Sequence, residues 1–327
     1  MLPRSPPANG HRPELTLPAD LPEFPVYTVA PDLTPFLAGN TGIRGFTTRD
    51  SGQPGPHVVL VSLMHGNELA GAIVVAELLR QNFTPLCGRL TMGFANLDAF
   101  ARFDPTNPLA SRFVEEDMNR VWDDAQIFGT RRSLELNRAR EIRPIIDTAD
   151  LLLDLHSMLW PSDPLLLCGP TARGRNFAQT LATPHMVVAD HGHAGGKRLI
   201  DYAHFTAAAT PAAAILVEAG QHWELSCVAQ TQATVQRLLS HAGMIPPCPA
   251  PRRAPIFAQV TCAITARTNR FIFAHAYRGG EIVRAANSLI AHDGDEEIRT
   301  PYDDCLLVMP SLRAVRNHTA IRLARMV

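Results

Sequence analysis

Residues 57–81 read HVVLVSLMHGNELAGAIVVAELLRQ. The opening HVVLVSL is an aliphatic run preceded by PGP, the pattern of a short strand buried on both faces. From Leu69 the period changes. Leu69, Ile73, Val74 and Leu78 fall on one helical face, and no proline interrupts Leu69–Gln81. A strand passing directly into a helix is the repeating unit of an α/β layered domain. Between the two stand His65, Gly66, Asn67 and Glu68, at the carboxyl end of the strand, where open α/β sheets gather their ligands.

The same alternation continues along the chain. RLTMGFAN (89–96), LLLDLH (151–156), PLLLC (164–168), HMVVAD (185–190) and AAAILVEAG (212–220) read as further buried strands. Helices are predicted over Arg131–Asp147, Arg173–Leu181 and Leu225–His241. The expectation for residues 26–247 is therefore a mixed, largely parallel sheet flanked by helices. Residues 1–25 are proline-rich and read as an extended arm. The prolines of MIPPCPAPRRAP (244–255) mark a break. Beyond it, IFAQVTCAI, RFIFAHAY and CLLVMP alternate with turn-forming RGGE, HDGDEE and TPYDD, which predicts a small all-β domain over 248–327.

Composition narrows the function. The 327 residues are 46% hydrophobic and 19% charged, which suits a soluble enzyme with a substantial core. A formal net charge of −1 gives no global field for nucleic acid or an anionic membrane. Six cysteines without a C-x-x-C pair read as buried free thiols, not as a disulfide framework or a thiolate metal site. The amino terminus has no signal-like apolar stretch, and no segment reaches the roughly 20 apolar residues of a membrane span. A cytoplasmic location is the simplest expectation. No heptad or interface stripe appears, so a homo-oligomer stays open.

Two strand ends carry groups that bind metals. In HGNE (65–68), an imidazole and a carboxylate three residues apart can reach one zinc ion, and Gly66 removes a side chain where the backbone must turn. In DLHS (154–157), Asp154 and His156 share a strand face, which makes Asp154 a candidate partner for the imidazole. Two histidines and one glutamate leave a coordination position open, as a catalytic zinc site requires. Spacing alone leaves the alternative that each histidine is simply a satisfied polar residue. His191 and His193, in ADHGHAGG, form a second candidate pair.

HGNE (65–68), DMNR (117–120), DLHS (154–157) and VEAG (217–220), in that order, together with the ending TAIRLARMV (319–327), resemble the succinylglutamate desuccinylase/aspartoacylase family. That group is related to the zinc carboxypeptidases. The similarity runs from about residue 40 to the end and leaves the proline-rich arm unmatched. The resemblance implies a zinc carboxypeptidase-like fold and one Zn2+ per chain, held by His65, Glu68 and His156. It implies a catalytic glutamate at Glu218 and a carbonyl-polarising arginine at Arg112. Asn119 and Arg120 match the pair that holds a substrate carboxylate, and Tyr302 is the candidate for a tyrosine projecting from the β domain into the site. A turn tyrosine is the alternative for Tyr302, and surface salt bridges are the alternatives for Arg112 and Arg120.

The chemistry agrees with these roles. A carboxylate beside an activated water can accept its proton and return it to a leaving amine. An arginine offsets charge developing on a carbonyl oxygen. A second arginine matches a carboxylate through paired donors. The implied reaction is hydrolysis of the amide bond in an N-acylated amino acid or a similar small carboxylate-bearing amide, with water activated by Glu218. A zinc carboxypeptidase acting on short peptides and a non-catalytic binding protein that keeps the fold are the alternatives. One departure stands out. Some members carry an arginine shortly before the catalytic glutamate for a second substrate carboxylate, whereas AHFTAAATPAAAI (203–215) has none, and Lys197 and Arg198 do not match its position.

Overall fold

The computed structural model describes residues 24–192, 195–251 and 253–327. Most of the proline-rich arm, together with His193, lies outside the described residues. Seven strands, β1 (Phe46–Asp50), β2 (His57–Ser62), β3 (Arg89–Phe94), β4 (Leu151–Met158), β5 (Leu165–Leu167), β6 (Met186–Ala189) and β7 (Ala213–Gln221), precede the break. Four longer helices alternate with them: α1 (Leu69–Arg80), α2 (Leu134–Ile146), α3 (Ala172–Leu181) and α4 (Leu225–His241). After the break come β8 (Ile256–Thr265), β9 (Phe271–Phe273), β10 (Ile282–Val283), β11 (Leu289–Asp293), β12 (Glu296–Arg299), β13 (Cys305–Val308) and β14 (Thr319–Met326). No described helix is long and apolar enough to cross a membrane.

The main sheet runs β1-β3-β2-β4-β7-β5-β6-β8-β14-β13-β10. From β3 to β8 every neighbouring pair is parallel except β5 and β7. The aliphatic runs follow from this position. Val58 and Leu60 pack on the face covered by α1, α3 and α4, and Val59 and Val61 pack on the opposite face with α2. Both faces being covered, alternation of polar and apolar residues disappears.

The residues after the break form strands that pair antiparallel with one another, but they do not stand apart from the main sheet. β8 pairs parallel with β6 from Met186↔Ile256 to Ala189↔Gln259, and β14, β13 and β10 extend the same sheet beyond it. A separate three-stranded sheet, β12-β11-β9, folds over this extension. It encloses a core that includes Phe271, Phe273, Ile290, Leu307 and Ile321. β1 is also absent from the sequence reading, because FTTRD pairs only as a polar edge strand against β3.

Candidate active site

Parallel pairing brings the carboxyl ends of β2, β4 and β7 to one edge of the sheet. In the β4–β7 register His156 stands opposite Glu218. The chain leaves β2 through Leu63, whose φ of 56° is left-handed, a conformation costing about 1–2 kcal/mol for an ordinary side chain. Three residues on, Gly66 touches the 99–100 backbone so closely that an added Cβ would collide with Ala99 C and Phe100 N. Only glycine fits there. This tight passage swings His65 back over the sheet and starts α1 immediately after Glu68.

His65, Glu68 and His156 are all buried, and one ligand atom from each lies within 4.8 Å of the others. His65 Nδ1 is 2.7 Å from Glu68 Oε1, and His156 Nδ1 is 3.0 Å from Glu68 Oε2. The remaining imidazole nitrogens each face a carboxylate. His65 Nε2 lies 2.9 Å from Asp117 Oδ1, and His156 Nε2 lies 2.9 Å from Asp154 Oδ2. The second pair is close without the alignment of a hydrogen bond. Paired imidazoles backed by carboxylates are the arrangement that holds metal-binding histidines in orientation. The Ser157 amide donates to Glu68 Oε2 at 3.0 Å and fixes that carboxylate in turn.

Charge is arranged as a metal site needs. Burial pushes the Glu68 carboxyl up, but His65 and His156 outweigh it and hold the group well below the usual carboxylate range. Burial works against a charged His156 too, yet Asp154 and Glu68 hold its pKa well above the ordinary imidazole value. Glu218 behaves differently. Burial drives its carboxyl up to about 8, with Glu68 adding to the rise against His156, Arg112 and Arg322. Its Oε2 is buried without a partner. An orphaned carboxylate oxygen beside converging nitrogens is a place where a cation would repay the desolvation. The donor set therefore fits a divalent metal.

Arg112, Asn119 and Arg120 stand on the wall facing this cluster. Arg112 Nη1 donates to Glu68 Oε1 at 3.3 Å, and its Nη2 donates to Asp117 Oδ2 at 3.3 Å. Asp117 caps the turn at 118–120 by accepting from the Asn119 amide at 2.8 Å. Asn119 Oδ1 is occupied by the Leu199 amide at 2.8 Å, while its Nδ2 is turned toward His156 Nε2 at 3.4 Å. Burial draws the Arg120 guanidinium down to about 10, with Arg112, Arg322 and Arg198 pushing the same way against Asp117. A wall carrying several guanidiniums so close together favours an anion.

All seven of these residues line one cavity of about 220 Å³. Tyr302 does not line it. Its hydroxyl is 2.6 Å from Thr261 Oγ1 and Arg325 covers its ring at 4.0 Å, so the side chain is engaged on the outer strands. The expected tyrosine contact with the site is corrected accordingly. The cavity wall from the C-terminal strands is built instead by Met309, Pro310, Ser311, Thr319 and Arg322.

Three further residues line it: His222 and Arg322, which the sequence reading did not single out, and Arg198, which it set aside as out of position for a second carboxylate. His222 places Nδ1 2.7 Å from Ser157 Oγ, and burial pushes its pKa down to about 3, so it is neutral. Arg198 is buried between Asp201, 2.7 Å from its Nε, and Asp190, 3.2 Å from its Nη1. Arg322 donates from Nε to the same Asp190 oxygen at 2.8 Å. The signal for one of them was present, since His222 follows VEAG by two residues. His191, from the second histidine pair, does not belong to the metal cluster.

Comparison with known proteins agrees with this fold. The fold is that of succinylglutamate desuccinylase from Vibrio cholerae, with a TM-score of 0.66 at 19% identity over 87% of this chain and 86% of that one. A succinylglutamate desuccinylase/aspartoacylase from Rhodobacter sphaeroides superposes with a TM-score of 0.62 at 21% identity, covering 86% and 88% of the two chains. The product-bound ectoine utilization protein EutE (DoeB) from Ruegeria pomeroyi gives 0.60 at 17% identity, covering 86% and 88%. No curated protein matches the chain. Residues 54–242, more than half the chain and the stretch that holds all four motifs, match the succinylglutamate desuccinylase/aspartoacylase catalytic domain, and the chain belongs to that family.

Proposed function

We propose that the protein is a zinc-dependent amidohydrolase that removes the acyl group from an N-acylated amino acid or a similar small carboxylate-bearing amide. The observation that carries this reading is the meeting of three metal-binding side chains, the Glu218 carboxyl with its Oε2 buried and unbonded, and a guanidinium wall in a single cavity. His65, Glu68 and His156 would hold one Zn2+ per chain. When bound, zinc lowers the pKa of water toward neutrality and draws electron density from the scissile carbonyl.

The protein's own groups account for the remaining steps. Asn119 and Arg120 hold the α-carboxylate, Asn119 through Nδ2 and Arg120 through its paired donors. Arg112 stabilises the negative charge that grows on the carbonyl oxygen. Glu218 accepts the proton of the attacking water and hands it to the leaving nitrogen. Asp117 and Asp154 keep the two imidazoles turned inward. The strands after residue 255 wall off one side of the cavity, which favours small substrates over long peptides.

The test is a hydrolysis screen of N-acetyl, N-succinyl and longer N-acyl amino acids, with short peptides in parallel and zinc supplied. Stoichiometric zinc and release of the free amino acid are expected. Absence of both would overturn the proposal. A clear preference for peptides of three or more residues would replace it with a carboxypeptidase.

A further inference from the structure

We infer that the substrate carries a bulky apolar group, aryl or alkyl, that lies outside the metal centre in a second hollow lined by Phe113, Leu159, Trp160 and Val315. This rests on the amidohydrolase reading and names the class of substrate within it. The inner cavity, about 220 Å³, is smaller than the roughly 300–1,000 Å³ usual for small-molecule sites. Beside it lies a hollow of about 550 Å³. The two share Arg112, Arg120, Leu159 and Trp160 among their walls. A molecule gripped at the two arginines therefore has room to extend outward.

The two hollows differ in balance. Imidazoles, carboxyls and guanidiniums converge on the inner one beside Met158, Leu167, Leu216 and Met309, whereas at the outer one Arg112, Arg120, Asp117 and His318 stand beside Phe113 and Val315. At the outer one, Phe113 is 39% exposed and Val315 is 59% exposed. Single exposed apolar residues are ordinary, but here they surround one concavity next to a reactive centre, which marks a binding surface. They also come from distant parts of the chain. Phe113 follows Arg112 directly, whereas Val315 sits between β13 and β14. Trp160 is held by an edge-on contact with Phe24, ring centroids 5.0 Å apart. That contact restrains the indole before anything binds, which reduces its ordering cost on binding.

The apolar group could be the acyl chain or the side chain of the amino acid, and two substrate series separate them. One series keeps glycine and lengthens the acyl group from acetyl through butyryl to hexanoyl and benzoyl. The other keeps acetyl and varies the amino acid from glycine to alanine, leucine and phenylalanine. In one of the two series kcat/KM should rise roughly fourfold per methylene covered, on the order of fiftyfold over three. The ratio of longest to shortest should collapse toward one in Phe113→Ser and Val315→Ser, a comparison made within each variant and so independent of lost protein. Calorimetric Kd values for the products, alkanoates on one side and amino acids on the other, should show the same order without turnover. Hydrolysis of the acetyl compounds with both series flat or falling would overturn the inference and leave the amidohydrolase reading standing. No hydrolysis of any member would overturn both.

Discussion

His65 follows β2, and β4 and β7 carry His156 and Glu218 in their carboxyl-terminal halves, whereas β14 carries Arg322 near its middle. The difference is topological. Parallel strands end at one edge, so successive βα turns bring reactive groups together whatever their separation in sequence. The antiparallel strands have no such common edge. Their contribution comes from a sheet face and from the loop at 309–311, and it closes the cavity. On the proposed reading, the parallel half supplies the chemistry and the antiparallel half supplies the wall. The two halves are joined by charge, because Asp190, just after β6, binds both Arg198 and Arg322.

The sharpest way to break this division is Glu218→Gln. Loss of a positioned acid–base group should lower kcat by roughly a hundredfold to ten-thousandfold. Zinc content, measured by atomic absorption, should be unchanged, since Glu218 is not among the three converging ligands. A wild-type rate would remove Glu218 from the mechanism. The junction is tested next by Asp190→Ala. Arg198 and Arg322 are both buried; removing Asp190 leaves Arg198 with Asp201 and takes one charge-assisted hydrogen bond from each guanidinium, at a cost of about 1.5–3 kcal/mol. Urea unfolding reads that loss. A change below about 1 kcal/mol would show that Asp190 does not tie the halves together.

A smaller effect separates metal retention from catalysis within the parallel half. Without metal, His156 holds its proton well above the ordinary imidazole range. A metal cation bound there must displace that proton, so apparent zinc affinity should still be rising with pH above the ordinary imidazole range, roughly tenfold per pH unit for each proton released. Asp154→Asn removes the carboxylate behind His156. Affinity should then fall about 10–100-fold, and its pH dependence should become shallower as the imidazole loses its reason to stay protonated. Competition with a chelator at several pH values measures both. A flat profile would contradict the coupling of metal and proton.

Legibility in the sequence follows the same division. Strands β2, β4 and β7 could be read because burial on both faces leaves an uninterrupted aliphatic run. His65 and Glu68 after β2, and His156 and Glu218 late in β4 and β7, could be read because imidazole and carboxylate closing an aliphatic run are rare enough to notice. Arg322 could not be read in this way. In IRLARM a charged residue suggests a solvent-facing edge, and its burial depends on β8 and β13 flanking β14 and on Asp190, 132 residues earlier. The pairing of β8 with β6 was equally invisible, because an alternating strand shows which face is apolar but not which neighbour it joins. Arg198 was legible as a cation, but its ion pairs with Asp190 and Asp201 exist only once the 190–201 loop has folded back.

Tyr302→Phe should give the smallest effect, and it tests where the cavity wall ends. The lost hydroxyl contact with Thr261 is worth about 1 kcal/mol of stability at most, and the ring keeps its packing beneath Arg325. Because the side chain does not line the cavity, kcat/KM on the best substrate should change less than about twofold. Substitution at Thr319, which does line it, should change KM by more. If Tyr302→Phe were instead to raise KM several-fold while Thr319→Val did not, the outer strands would have to rearrange when substrate binds. The antiparallel half would then be a moving wall, and the rigid parallel half alone would define the resting site.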